Sequence, residues 1–492
     1  MSSTLALSGQ GPVTLDWALD QETNVINWST YGPAAGRVAQ DLWSQRETIQ
    51  DLIRHHLNLG QQYGCTVLPL KHWIQGGFNI CVMVEVRTLG TRNEAFRVVF
   101  RCPMPHKLSE AHYPGAVDEK MGCEVGVYAW VEEHCPEIPS PHLYGFGFSN
   151  GRHFTHSMHL PLLHRISYPS HNLTSAYMLL EYLGPDTGRM LFDTFDSQRG
   201  DLEKRRRLFT GMSRIMLSLA KIPQPRIGSF CFHDDGTVTL TNRPLCCSTM
   251  ILENDTGARS MQRSDTYTCT DAYVADMLAL HDQRFLKQPN AVNDEEDCHF
   301  QMATKVLLRV YSRSFIQKQF RQGPFLLHLT DFHASNLIVD QDWNVTGLID
   351  LEWICALPFE MHQVPYWLTG CAIDGLKGEG LVKFNQVRQE FLRIFEAEEQ
   401  SAPAHAFSLT RIMEETWDLG GVWFWYCLSS VNAMYFFLEA YILPAWSLSP
   451  EAEKIISKFW SRDSEAVVKA KLEDRKAYDK ELRGLFGHNQ EA

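Results

Sequence analysis

The chain has 492 residues, of which 44% are hydrophobic and 21% charged, enough apolar material for a large folded core. Its 58 acidic residues outnumber 45 basic ones, for a net charge of −13, so a nucleic-acid or membrane-surface role has no electrostatic support. The 13 cysteines include no CxxC pair, which points to free thiols in a reducing compartment. No Lys or Arg precedes Arg37, against a secretory or mitochondrial leader, and the expected location is the cytoplasm.

Residues 1–35 are polar, with Gly and Pro, and are expected to form an extended arm. Apolar residues at Val38, Leu42, Ile49, Leu52, Ile53 and Leu57 then recur at helical spacing. Two β-branched runs, Ile80–Val86 and Phe96–Phe100, flank the turn-rich "TLGTRNE" and predict an antiparallel hairpin. A helix is expected at 118–134, then an extended path through the prolines of "PEIPSPHLYGFGF". Residues 149–176 read as a polar insertion, and Tyr177–Pro185 as a short buried strand. A helix follows at 202–221. Residues 240–300 look polar and irregular, with a helix from 300 to 322. Beyond residue 380 the pattern is mostly helical. The most apolar stretch, 421–443, is interrupted by Ser429, Ser430, Asn432 and Glu439, and reads as a buried helix rather than a membrane span. The division expected is an arm and amphipathic helix (1–64), a small lobe (65–183), a large lobe (184–450) and a helical extension (451–492).

The stretch "LTDFHASNLIVD", 329–340, carries Asp331, His333 and Asn336 into a short apolar strand. "DQDWN" and a second apolar run, "VTGLID", make a hairpin signal. Pairing Val339 with Val345 returns Asp350 to the side of Asn336. A carboxylate and an amide oxygen converging there suit a hard cation such as Mg²⁺, which takes one or two protein ligands and leaves the rest to water and phosphate. Asp340, Asp342 and Asn344 read as turn and cap residues.

These residues resemble the aminoglycoside phosphotransferase family, and in particular its large fungal branch. The family shows His-Gly-Asp-x-His-x-x-Asn, an apolar hairpin, then Ile-Asp-Trp-Glu; here the segments are Leu329–Asn336 and Ile349-Asp350-Leu351-Glu352. The resemblance covers roughly residues 70–370. It implies an α+β, two-lobed protein-kinase-like fold with ATP and Mg²⁺ in the cleft. The reaction implied is transfer of the γ-phosphate to a hydroxyl of a small molecule, and phosphoryl transfer needs chiefly positioning and charge neutralisation. Asp331 would be the catalytic aspartate, Asn336 and Asp350 the metal ligands, and His333 a loop brace. In the small lobe, Gly76, Gly77 and Asn79 would approach phosphate, Arg101 would contact it from the lysine position, and Glu124 would pair with Arg101. Glu181 and Leu183 fall where the linker would meet adenine.

Two departures stand out: Leu329 occupies the position of the motif's first histidine, with His328 one place earlier, and Arg101 replaces lysine. They motivate an alternative, a pseudokinase acting as a nucleotide-binding or regulatory module. GTP could replace ATP as donor. A protein kinase is disfavoured by the lack of G-x-G-x-x-G, His-Arg-Asp and Ala-Pro-Glu. His153, His156, His159, His164 and His171 crowd one insertion; a polar surface insertion is favoured over a zinc site. Cys246-Cys247 read as free thiols, and the run Trp423–Tyr426 as helix core or an acceptor-pocket lining.

Overall fold

The structure is a computed structural model and describes residues 4–89, 95–155, 164–165, 173–401, 407–443 and 449–488. The fold mixes helices with a curled antiparallel sheet. Two short helices, α1 (Leu15–Leu19) and α2 (Val25–Ser29), lead into α3 (Tyr31–Ser44) and α4 (Arg46–His56). Strands β1 (Tyr63–Val67), β2 (Ile74–Gln75), β3 (Asn79–Thr88) and β4 (Ala95–Pro103) follow, then helix α5 (Ala116–His134). Strands β5 (Leu143–Gly147), β6 (His153–Thr155), β7 (164–165) and β8 (Tyr177–Glu181) complete an eight-stranded sheet in the order β1-β3-β4-β8-β5-β6-β7, with β2 also on β3.

The β3–β4 hairpin holds Cys81 opposite Arg101, and β4 then pairs with β8, setting Arg101 opposite Met178. Val82, Val84, Val86, Val98 and Phe100 of these strands are buried with Leu42, Ile49 and Ile53 of α3 and α4, so those helices share the sheet's core. The predicted link "TLGTRNE" falls in part on 90–94, outside the described residues.

After the sheet come β9 (Arg189–Met190), α6 (Phe192–Gln198) and α7 (Leu202–Ala220), then the hairpin β10 (Ser229–Phe232) and β11 (Val238–Asn242). Where an irregular stretch was expected, the chain forms α8 (Cys247–Thr256) and α9 (Thr270–Lys287), and α10 (Glu295–Phe315) starts earlier than expected. Helix α9 buries Tyr273, Val274, Met277, Leu278, His281 and Phe285, a helical stripe diluted by polar neighbours. Helix α10 begins at Asp294, whose side chain accepts from the Asp297 amide, with three acidic residues in its first turn.

Strands β12 (Phe325–Leu329) and β15 (Ile354–Pro358) pair with each other and enclose the short hairpin β13 (Leu337–Val339) and β14 (Val345–Leu348). The rest is helical: α11 (Glu379–Ser401), α12 (Leu409–Asp418), α13 (Gly421–Ser429), α14 (Val431–Phe437), α15 (Pro450–Ser457) and α16 (Ser464–His488). The apolar stretch 421–443 is thus broken at Ser430, whose hydroxyl caps α14, and ends in a π-helical turn at Leu438–Ile442. No described helix is long and apolar enough to cross a membrane.

The arm also departs from expectation. Leu7, Val13, Ala18 and Val25 are buried against Tyr478, Leu482 and Phe486 of α16. The Val25 amide donates to the Tyr478 hydroxyl at 3.0 Å. Helices this short are not stable alone; α16 supplies the surface that holds them. Leu482 is fully buried in that contact. Leu482→Ala is expected to cost about 3 kcal/mol of stability, measured by urea unfolding, and to speed proteolysis within residues 4–29.

Candidate functional site

Five segments converge at the site: the turn between β2 and β3, strand β4, helix α5, the loop 330–336 and the turn that follows β14. The β13–β14 hairpin assembles the last two. Leu337 lies opposite Leu348 and Val339 opposite Val345, with a bulge that leaves Thr346 unpaired. Its tight end is built by Asp340, whose carboxylate accepts from the amides of Asp342 and Asn344, both at 2.9 Å. At the open end the Ile349 amide donates to the Asn336 carbonyl at 2.8 Å. Asp331, Asn336 and Asp350 then line one small cleft of about 10 Å³, of the order of a single water.

Each of these residues is held differently. Asn336 is buried, and its side-chain oxygen accepts from the His333 amide at 3.0 Å. His333 Nδ1 accepts from the Ser335 amide, and its Nε2 lies 3.8 Å from the Asp331 carboxylate. That carboxylate raises the His333 imidazole above its ordinary value, against desolvation. Asp350 adopts a left-handed backbone, φ 66°, which turns the chain from β14 into the short helical turn Leu351–Trp353. A non-glycine residue there is mildly strained, and such strain concentrates at functional sites. Thr330 ties the loop to that turn through its amide and hydroxyl, both bonded to the Trp353 carbonyl.

Above this cleft lies a buried ion cluster. Arg101 bonds Glu124 of α5 with one guanidinium nitrogen and Asp350 with another, and Glu352 is 3.2 Å away. Lys120, one helical turn before Glu124, bonds Glu124 at 2.7 Å and also pairs with Glu352. Asn79 completes the cluster: its amide donates to Glu352 at 2.8 Å and its carbonyl accepts from Lys120 at 3.1 Å. The Lys120, Glu124 and Glu352 side chains are at most 1% exposed, whereas Asp350 is 34% exposed and faces the cleft.

Two cations therefore meet three carboxylates: Arg101 and Lys120 against Glu124, Asp350 and Glu352. Desolvation raises the Glu352 carboxyl, yet Lys120 and Arg101 hold it down at about 2. For Asp350 the balance tips the other way. Desolvation raises its carboxyl against the pull of Arg101, and the charges of Glu352 and Glu124 add to the rise. The oxygens of Glu124, Asp350 and Glu352 lie within 4.8 Å of one another, a spacing that could hold a metal ion. With Arg101 and Lys120 already on those oxygens, Asp350, the exposed member, is the one able to turn toward a cation in the cleft.

The other predicted residues take separate positions. Gly76 and Gly77 form the exposed turn between β2 and β3, and the next residue, Phe78, packs its ring edge-on against Trp353 at 4.8 Å. A Cβ at Gly77 would meet nothing within 4 Å, and one at Gly76 only the Asn79 carbonyl at 3.7 Å, so the fold itself does not demand glycine at either position. Glu181 ends β8 on the surface, where its carboxylate accepts from the His142 amide at 3.1 Å. Leu183 lies over the hairpin, so close that a Cβ on Gly347 would come within 2.7 Å of its methyl group. Asn79 is committed to Lys120 and Glu352 and does not project toward the turn.

Sequence reasoning assigned no role to Lys120 and none to Glu352. The spacing of Lys120 to Glu124 on one helix face was the available signal for the first. It also missed the cavity beside Asp331, of about 430 Å³, walled by Cys247, Phe332, Tyr366, Trp367 and Tyr426. Of the aromatic run 423–426, Tyr426 reaches that wall while Phe424 and Trp425 are core. The cysteine pair opens α8, with Cys246 buried and Cys247 at the cavity. Of the crowded histidines, His156, His159 and His171 lie outside the described residues, and His153 sits 2.8 Å from the Tyr177 hydroxyl. Neither the protein-family models nor the curated proteins compared with this chain match it.

Removing one partner from a buried ion cluster strands the opposite charge. Glu352→Ala is expected to cost about 3 kcal/mol or more at neutral pH by denaturant unfolding. Because Glu352 is held at about 2, against an ordinary 4.5, its contribution is complete above the ordinary value and lost as pH falls toward 2. The gap between variant and parent should close over that range.

Proposed function

We propose that the chain is an ATP- and Mg²⁺-dependent phosphotransferase. It would transfer the γ-phosphate to a hydroxyl of a small molecule and be related in fold to the aminoglycoside phosphotransferases and their two-lobed kinase-like architecture. The observation that carries this reading is the single cleft shared by Asp331, Asn336 and Asp350, directly beneath the Arg101–Glu124 pair. In phosphoryl transfer the protein mainly positions the reactants and neutralises charge. Asn336 and Asp350 supply oxygen ligands for Mg²⁺, which would bring the nucleotide phosphates with it. Arg101 supplies a forked cation for those phosphates. Asp331, on the cavity side, accepts a hydrogen bond from the attacking hydroxyl and aligns it.

The glycines of the β2–β3 turn support a phosphate approach, since nothing within the protein requires them there. Leu183 makes no backbone hydrogen bond to a described residue, which leaves its amide and carbonyl available to a base edge. The 430 Å³ cavity beside Asp331 is within the range of small-molecule sites. Its aromatic walls suit a compact organic acceptor better than a peptide.

One observation favours the alternative of a nucleotide-binding module without turnover: Arg101 is bonded to Asp350, the residue a metal would need. Under the phosphotransfer reading Asp350 and Asn336 would hold Mg²⁺, which would neutralise phosphate charge, and Arg101 would be free to pair with phosphate in place of Asp350. The two readings separate in turnover. ADP release with Mg²⁺–ATP and a panel of alcohol-bearing metabolites should fall by about 10³-fold or more in Asp331→Ala, while nucleotide affinity is retained. Equal release by parent and variant would remove Asp331 from the mechanism.

A second expectation concerns pH. Because Asp350 releases its proton later than an ordinary aspartate, Mg²⁺-dependent nucleotide affinity should rise with pH beyond the normal carboxylate range. Asp350→Asn should flatten that dependence. Gly77→Ala should leave the melting temperature unchanged and weaken nucleotide binding.

A further inference from the structure

The cavity beside Asp331 adjoins a second one, of about 330 Å³, and the two share Ser248, Ile251, Ser429 and Ser430 as walls. Ser429 and Ser430 lie where α13 gives way to α14, so the helix break forms part of the rim common to both spaces. The cavities differ in charge. Besides Asp331 and His333, the ionisable groups of the first are thiols, phenols and two histidines, His328 and His362, that burial keeps neutral.

The second cavity holds Arg284 and Asp255 in its wall, with Glu22 exposed at the rim. Arg284 is 6% exposed, its Nε has no hydrogen-bond partner, and it forms no ion pair with a described residue. The Tyr435 hydroxyl is its polar neighbour, and that hydroxyl already accepts from Lys305 and donates to Gln301. Lys305 is a second buried basic group without a carboxylate ion pair among the described residues, and burial together with the Arg284 charge holds its amine down at about 7. Its Nζ bonds only the Gln301 carbonyl and Tyr435, both at 3.1 Å. Asp282, the nearest acid behind them, is taken by Arg309 and by Trp460 Nε1. Across the cavity, the Asp255 carboxylate accepts from the Tyr31 hydroxyl at 2.5 Å, and the fields of Lys107 and Arg284 both reach it.

Buried charges in folded proteins are paired, and here a guanidinium and a carboxylate face one cavity within each other's field but without an ion pair between them. We propose that the second cavity is a head-group subsite for a zwitterion, with a carboxylate on Arg284 and an ammonium at Asp255. This rests on the phosphotransfer reading for the remainder of the molecule, an apolar or aromatic body in the first cavity that presents its hydroxyl to Asp331. Arginine suits the first contact because its planar fork matches a carboxylate. The flat aromatic walls of the first cavity carry no further fixed charge to reward a polycation.

The test is calorimetric titration of the full chain, without nucleotide, using L-phenylalanine, 3-phenylpropionate and phenethylamine as probes. L-Phenylalanine should bind, and each single-charge probe should bind about tenfold more weakly, the worth of one charged contact. Arg284→Gln should weaken L-phenylalanine by about tenfold and leave phenethylamine unchanged, while Arg284→Lys retains part of the affinity. Removing an unpaired buried charge does not endanger the fold, so Arg284→Gln should melt no lower than the parent. Equal binding of the three probes, no binding of L-phenylalanine at millimolar concentration, or indifference to Arg284→Gln would overturn the proposal. Since no nucleotide is present, the outcome is independent of whether the protein transfers phosphate.

Discussion

The buried cluster of Arg101, Lys120, Glu124 and Glu352 is the constraint on which the rest of the structure depends. It joins a sheet strand, a helix packed on both faces and the turn beyond a hairpin some 250 residues further along the chain, and Arg101 and Asp350 themselves stand 249 residues apart. None of its members can be lost singly without stranding a charge in the interior. The cluster therefore fixes the height of the β3–β4 hairpin over the β13–β14 hairpin, and with it the cleft between Asp331 and Asp350. The apolar contact of Phe78 with Trp353 closes the same junction from the outer side.

Arginine at position 101 makes structural sense in this setting. Its two terminal nitrogens reach two different carboxylates, those of Glu124 and Asp350, which the point charge of a lysine could not do with the same geometry. Lys120 then meets the remaining oxygens of Glu124 and Glu352. The arginine is thus coupled to a second cation on α5. Under the proposed function, Asp350 adds one carboxylate to a cluster whose other charges balance, and that carboxylate would take the divalent ion. The adjoining cavities extend the same pattern: charge is concentrated at the ion cluster and again at Arg284 and Asp255, with aromatic walls between.

What could be read from the sequence follows the range of the interactions. The β13–β14 hairpin is local, its turn chemistry is written in Asp340, Asp342 and Asn344, and its register differs from the simple pairing only by the Thr346 bulge. The approach of Asn336 to Asp350 follows from that hairpin, whereas Asp331 is brought in by the loop that Thr330 ties to the Trp353 carbonyl. The helical character of α1, α2, α8 and α9 was not legible. The first two are too short to signal a period and owe their order to Tyr478, Leu482 and Phe486 at the far end of the chain. The apolar stripe of α9 is diluted by the polar residues on its other face. Lys120 and Glu352 were passed over because a charged residue in a sequence looks solvent-facing until its partner is known. The pairing of β12 with β15, which frames the loop, has no local signal in either strand.

The central claim is that the Asp331–Asn336–Asp350 cleft holds a metal–nucleotide complex. Calorimetric titration of the full-length protein with ATP, in the presence and absence of Mg²⁺, tests it most directly. The account predicts saturable binding that depends on Mg²⁺ and on an intact Asp350. Absence of binding with both ATP and GTP, Mg²⁺ present, would contradict it and leave the ion cluster as a structural device alone.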